Sequence, residues 1–187
     1  MKPRLIILSD LWGKEKSEWV LVYVELLKDK FEIQYYDCCE LGEIDKTDYT
    51  EKSLHNQFVN GGIEMVVENL LKTEKNRIDI LAFSIGGTIA WKSALKGLNV
   101  RKLFAVSSTR LRYENEIPNG ALKLYYGEND SNKPANNWFE KHSIDFEIIK
   151  SKEHDFYTEK EFATSICNEI LNSFIQFADK RIKFVVS

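Results

Sequence analysis

Cysteine and proline are scarce in this sequence, with three of each among 187 residues. Cys38, Cys39 and Cys167 form no C-x-x-C pair, and three thiols in a chain this long make no disulfide framework. A reducing cytoplasm is therefore the expected setting. No run approaches the roughly 20 apolar residues of a membrane helix. The first apolar run, Leu5 to Leu8, falls short of the roughly 7–15 residues at the core of a secretory signal. Positive charge is not in excess: 26 Lys and Arg face 29 Asp and Glu, a net charge of −3. That excludes a nucleic-acid binder held by bulk charge. No repeat, low-complexity tract or proline-rich linker interrupts the chain. What is present is globular: 43% hydrophobic and 12% aromatic residues, too rich in both for a disordered chain. One domain over residues 1–187 is expected.

Short apolar runs alternate with amphipathic stretches. Strands are expected at 5–8, 31–36, 78–83, 103–106, 122–126 and 146–149. Helical spacing of apolar residues marks 19–27, with Ser17 as its cap, then 63–71 and 85–96, the last closed by Gly97 as its C′ residue. Pro134 suits the first turn of a short helix near Trp138 and Phe139. Thr158-Glu159-Lys160-Glu161 reads as a capping box that opens a long helix carrying Phe162, Ile166, Ile170 and Phe174 on one side. Residues 42–56 read as a polar connection and 107–120 as a loop. The β-prone tail, 182–186, has no place in this pattern. Doubly apolar strands alternating with helices predict an α/β protein, a three-layer α/β/α sandwich around a mainly parallel six-stranded sheet. Chemistry in such folds gathers at the carboxyl ends of the strands.

Three such ends carry reactive side chains. After the third strand comes Ala82-Phe83-Ser84-Ile85-Gly86-Gly87. A sharp strand-to-helix turn there exposes Ser84 and aims the Ile85 N–H outward at a helix start, where the dipole favours negative charge. The other reading of Ser84 is a plain helix cap. Gly86 to Ser93 overlaps this run and mimics a phosphate loop, but Trp91 stands where such a loop needs glycine, which excludes nucleotide binding. After the fifth strand comes Gly127-Glu128-Asn129-Asp130. Its carboxylate either orients an imidazole or merely caps the helix after Pro134. After the sixth strand comes His154. The other two histidines, His55 in the polar connection and His142 at a helix end, read as surface residues.

Serine, acid and histidine thus follow strands of one sheet in the chain order Ser84, Asp130, His154. On these residues the sequence resembles the α/β-hydrolase superfamily. The resemblance implies a sheet order of 2-1-3-4-5-6 in this chain's own strand numbers, with two early strands of the family missing. It implies Ser84, Asp130 and His154 as the catalytic triad, with Glu128 not the acid. Ala82 stands for the elbow's usual first glycine. Ser9-Asp10-Leu11-Trp12-Gly13 stands for the family's His-Gly-x-x-Gly run, so Leu11, or alternatively Trp12, would join Ile85 in donating N–H groups to an oxyanion. Asp10 is expected to turn away, towards solvent or a Lys or Arg. The fourteen residues 107–120 leave no room for a helical cap, so a shallow pocket lined by Trp12, Tyr113 and Phe156 is expected. The implied activity is hydrolysis of an ester or thioester, with a small-molecule acyl substrate and neither metal nor cofactor. The alternative is a non-catalytic binding module on the same fold.

Overall fold

The computed structural model describes residues 2–185. Six parallel strands, β1 (Arg4–Leu8), β2 (Glu32–Tyr36), β3 (Ile78–Phe83), β4 (Val100–Val106), β5 (Ala121–Gly127) and β6 (Asp145–Ile149), form one sheet in the order β2-β1-β3-β4-β5-β6. The sheet order is the expected one. Every residue of β3 is buried, as its largely apolar sequence requires at the centre of a parallel sheet, and its one charged residue, Asp79, is paired with Arg101.

Two apolar layers cover the sheet. On one face, α4 (Ile63–Thr73) and α5 (Ile85–Leu95) pack over Ile6, Leu8, Ile80 and Ala82, and Phe139 of α6 (Asn136–His142) joins the same layer. On the other, α1 (Val20–Leu27) and α7 (Lys160–Val185) cover Leu5, Ile7, Leu81 and Phe83. Alternate residues of β1 and β3 thus feed opposite cores. Gly97 ends α5 at φ +102, as its C′ position demands. Trp91 is fully buried, and its indole N–H donates to the Glu116 carbonyl at 3.1 Å. It fastens the 107–120 loop to α5, a packing role in place of phosphate binding.

Local structure departs from the sequence pattern, or adds to it, at five places. Residues 42–56 contain α3 (Glu51–Gln57), capped by Thr50 Oγ1, which accepts from the Ser53 N–H at 3.3 Å. Only Leu54 and Phe58 mark its buried side, too few to register as a period. Cys38 and Cys39 sit in the short helix α2 (Cys38–Leu41), both buried and free, because Asp37 caps its first turn. Ser17 is no helix cap: its hydroxyl donates to the Lys14 carbonyl. Thr158 likewise turns back to the Asp155 carbonyl, and the α7 backbone ladder begins at Glu159. Beyond it, α7 runs through residue 185, because β-propensity at 182–185 is too weak a preference to end a helix. Residue 186 lies outside the described residues.

Two glycines let the β3–α5 junction close. A Cβ on Gly86 would lie 2.4 Å from the Ser9 carbonyl oxygen, and one on Gly87 would lie 2.6 Å from Ser108 Cβ. Both neighbours belong to strand ends that cannot retreat without moving the sheet. Gly86→Ala and Gly87→Ala should each lower unfolding free energy by about 1–3 kcal/mol, measured by urea titration. Wild-type stability in either variant would show that the junction is looser than these distances state.

Candidate active site

Ser84 occupies the turn between β3 and α5 at φ +49, ψ −116, outside the regions open to ordinary L-residues. Such a conformation costs about 1–3 kcal/mol and persists because its surroundings hold it. The Ser84 N–H donates to the Val106 carbonyl of β4 at 2.8 Å, and its carbonyl accepts from the Gly87 N–H at 3.2 Å. The side chain is thereby lifted off the sheet edge. Its Oγ lies 2.9 Å from Nε2 of His154.

His154 Nδ1 lies 2.6 Å from Asp130 Oδ2. Asp130 Oδ1 accepts from the Asn132 N–H at 3.0 Å, so both carboxylate oxygens are engaged. Burial raises the Asp130 carboxyl, but the hydrogen bond and field of His154 outweigh it and leave the group below its ordinary value. Glu128 faces elsewhere: its Oε2 accepts from the Ser151 N–H at 2.8 Å and its carboxylate does not meet the imidazole. The structure therefore brings Ser84, His154 and Asp130 into one hydrogen-bonded chain and leaves Glu128 out of it.

Backbone anchors set the position of His154. Its carbonyl accepts from the Ser107 hydroxyl at 2.5 Å, and the Asn129 N–H donates to the Lys152 carbonyl at 2.9 Å. Gly127 makes that approach feasible, since a Cβ there would lie 2.3 Å from the Glu153 carbonyl oxygen. Ser107, with φ +52 at the end of β4, carried no signal in the sequence beyond its place after a strand.

The Ser9–Gly13 run borders Ser84. Leu11 and Ile85 line the cleft with Ser84 and His154. The Trp12 N–H is occupied, donating to Asp10 Oδ1 at 3.0 Å. No acceptor among the described residues takes the N–H of Leu11 or of Ile85. Of the two alternatives, Leu11 is thus the one with a free donor. Cys39 Sγ donates to the Leu11 carbonyl at 3.3 Å and Cys38 Sγ to the Ser9 carbonyl at 3.4 Å, which pins the run from α2.

Asp10 corrects an expectation. It turns neither to solvent nor to a cation; it is only 2% exposed, and its Oδ2 accepts from the Tyr157 hydroxyl at 3.1 Å. Two neutral donors replace the missing counter-ion. Burial pushes the Asp10 carboxyl up to about 6, although the Trp12 N–H and Tyr157 hydroxyl draw it down. The pocket expectation is corrected in part as well. The cleft is an open groove of about 1400 Å³, lined by Trp12 and Tyr157. Phe156 lies in the core, and Tyr113 is 59% exposed and outside the cleft. In the segment after β6, the aromatic residue that reaches the cleft is Tyr157, the one after Phe156.

Between β4 and β5 the chain makes only the short 3₁₀ segment Thr109–Tyr113, with no helical cap. Solved structures share this architecture. The chain has the α/β-hydrolase fold, without a lid. A lidless serine hydrolase of the α/β class from Xanthomonas campestris superposes with a TM-score of 0.62 at 11% identity, over 93% of this chain and 83% of that one. A hydrolase candidate of the α/β superfamily from Xanthomonas campestris pv. campestris gives 0.65 at 17% identity, over 92% and 99%. A carboxylesterase from Bacillus subtilis gives 0.55 at 13%, over 91% and 82%. No family model and no curated protein matches the sequence. Among the described residues, no helix is long and apolar enough to cross a membrane, and no cluster of side chains has the composition of a metal site.

The Asp10 shift carries a stability signature. Its folded value of about 6 exceeds the ordinary value of 3.8, so the folded chain keeps a proton that the unfolded chain gives up. Stability from this group is complete below pH 3.8 and is lost as pH rises towards about 6. Asp10→Asn cannot ionise. Its stability relative to the parent should therefore improve between pH 4 and pH 7, by up to about 3 kcal/mol, in denaturant melts across that range. A difference independent of pH would mean that Asp10 ionises as freely in the folded chain as in the unfolded one.

Proposed function

We propose that the protein is a serine hydrolase that cleaves an ester or thioester through an acyl-enzyme. The observation that carries this reading is the hydrogen-bonded chain from Ser84 Oγ through His154 to the buried Asp130 carboxylate. Ser84 attacks the carbonyl carbon while Nε2 of His154 takes its proton. The substrate oxygen gains negative charge between the N–H groups of Ile85 and Leu11, at the start of α5 where the helix dipole adds to them. The carbonyl re-forms, His154 returns the proton to the leaving oxygen or sulfur, and the alcohol or thiol departs. Water activated by the same imidazole then releases the acid and restores Ser84. Asp130 holds the imidazole in one orientation and stabilises its charged form. The open groove admits a substrate from solvent without a lid movement.

The ester reading also draws on the Bacillus subtilis carboxylesterase and the lidless serine hydrolase that share the fold. The rival is a non-catalytic binding module. What favours it is the Asp10 carboxylate beside the cleft, where ionisation would oppose an oxyanion.

A fluorophosphonate probe separates the two. It should label the parent at Ser84, and Ser84→Ala should abolish labelling while the circular dichroism spectrum is unchanged. Equal labelling of the alanine variant would remove Ser84 from the mechanism, and an unlabelled parent would favour the binding module. The acid is tested by steady-state kinetics on 4-nitrophenyl butyrate. Asp130→Asn should lower kcat by about three to four orders of magnitude. Glu128→Gln should lower it less than tenfold, and the reverse ranking would transfer the role to Glu128.

A further inference from the structure

Arg110 and Arg112 belong to the 3₁₀ segment after β4, and both line the cleft that holds Ser84 and His154. Both are half-buried. Elsewhere Arg4 pairs with Glu32 and Glu74, and Arg101 with Asp79. Neither Arg110 nor Arg112 meets a carboxylate among the described residues. Arg112 is nonetheless fixed: its Nη1 donates to the carbonyls of Thr109 (2.8 Å) and Asn132 (3.1 Å), and Nη2 donates to the Tyr113 hydroxyl (2.8 Å). Arg110 only lies over the Tyr113 ring, 5.4 Å from its centroid, with its donors uncommitted.

Asn132 ties this pair to the candidate site. Its carbonyl accepts from Arg112, and its N–H donates to Asp130 Oδ1. His55 of α3 lines the same groove. Partial burial and then the fields of Arg110 and Arg112 hold its imidazole below the ordinary value, against the opposing field of Glu51. Both arginines thus line the same groove as residues of α3. Carboxylates such as Asp48, Glu51 and Glu153 line the same groove, yet none is within ion-pair distance of either guanidinium, so two half-buried arginines stand without a direct anionic partner and gain one when an anion enters from outside. The planar fork of arginine suits carboxylate and phosphate oxygens alike.

We propose that the Arg110–Arg112 end of the cleft binds a carboxylate or phosphate carried by the substrate, a proposal that rests on the hydrolase reading for the role of that ligand. The preferred ester or thioester is therefore anionic. The group sits either on the acyl chain, as in a dicarboxylic monoester, or on the leaving group, as in a phosphate-bearing thiol.

Binding to the Ser84→Ala protein tests this without turnover. Two anionic ligands are titrated calorimetrically against neutral twins: mono-4-nitrophenyl glutarate against its methyl ester, and butyryl-coenzyme A against S-butyryl-N-acetylcysteamine. At least one anion should bind about tenfold tighter than its twin, with the gap narrowing as salt is added. The gap should close in Ser84→Ala/Arg110→Gln and invert in Ser84→Ala/Arg110→Glu. A gap confined to the glutarate pair assigns the acyl-borne carboxylate; one confined to the coenzyme A pair assigns the phosphate. Equal affinities, no binding by either anion, or a gap that survives Arg110→Gln overturns the proposal. Hydrolysis of all four compounds by the parent is assayed separately. Absent hydrolysis with an intact gap rejects the hydrolase and retains the anion site, whereas hydrolysis with no gap does the reverse.

Discussion

The close approach of three strand ends to the first turn of α5 is the constraint on which the rest of the structure depends. Ser84 can hold φ +49 only because Gly86 lies against the Ser9 carbonyl and Gly87 against Ser108. Those two contacts fix the ends of β1 and β4 relative to β3. The end of β1 carries Asp10 and Leu11; the end of β4 carries Ser107, which grips the His154 backbone. A local strain of a few kcal/mol thus coordinates loops that have no sequence proximity. The buried sheet supplies the rigidity that keeps it from relaxing.

Much of this was legible in the sequence. The doubly apolar strands announce a covered parallel sheet, and the residues after β3, β5 and β6 announce Ser84, Asp130 and His154 as neighbours. The strand order came through resemblance, since periodicity says nothing about which strands pair. What stayed hidden has a common physical cause: it depends on partners chosen by tertiary structure. Nothing near Asp10 in the sequence indicates that the Tyr157 hydroxyl will receive it, so solvent or a cation was the natural expectation. Phe156 and Tyr157 differ too little in composition to show which one reaches the cleft. Helix α3 leaves no periodic signal because its buried side is two residues wide, and Ser17 and Thr158 resemble caps because a hydroxyl's acceptor is not written in its own segment.

Two buried carboxylates border the cleft, and their surroundings push them in opposite directions. Asp130 has a histidine that can share its charge, and it lies below its ordinary value. Asp10 has only neutral donors, and it lies well above. Burial opposes ionisation in both, and the field of His154 favours it in both; the sign of the outcome follows from the direct hydrogen bond to the imidazole, which only Asp130 has. This explains how the run Ser9–Gly13 accommodates an acid beside the serine turn. The Tyr157 hydroxyl and the Trp12 N–H hold the side chain, and the N–H of the neighbouring Leu11 is left without an acceptor among the described residues.

The hydrogen bond between Tyr157 and Asp10 joins residues 147 apart in the chain, and the one between Ser84 and His154 spans 70. Contacts this distant in sequence form late, because the entropy of closing large loops is lost before any of them is made. The cleft accordingly has no partially assembled version: until β6 has joined β5 and the segment after it has swung back to the end of β1, the serine turn stands alone. The geometry at Ser84 is for that reason a report on the whole sheet, and a fragment ending before Tyr157 would keep the residues of all six strands and of Ser84, Asp130 and His154, but lose the hydroxyl that holds Asp10 and the helix α7 that covers one face.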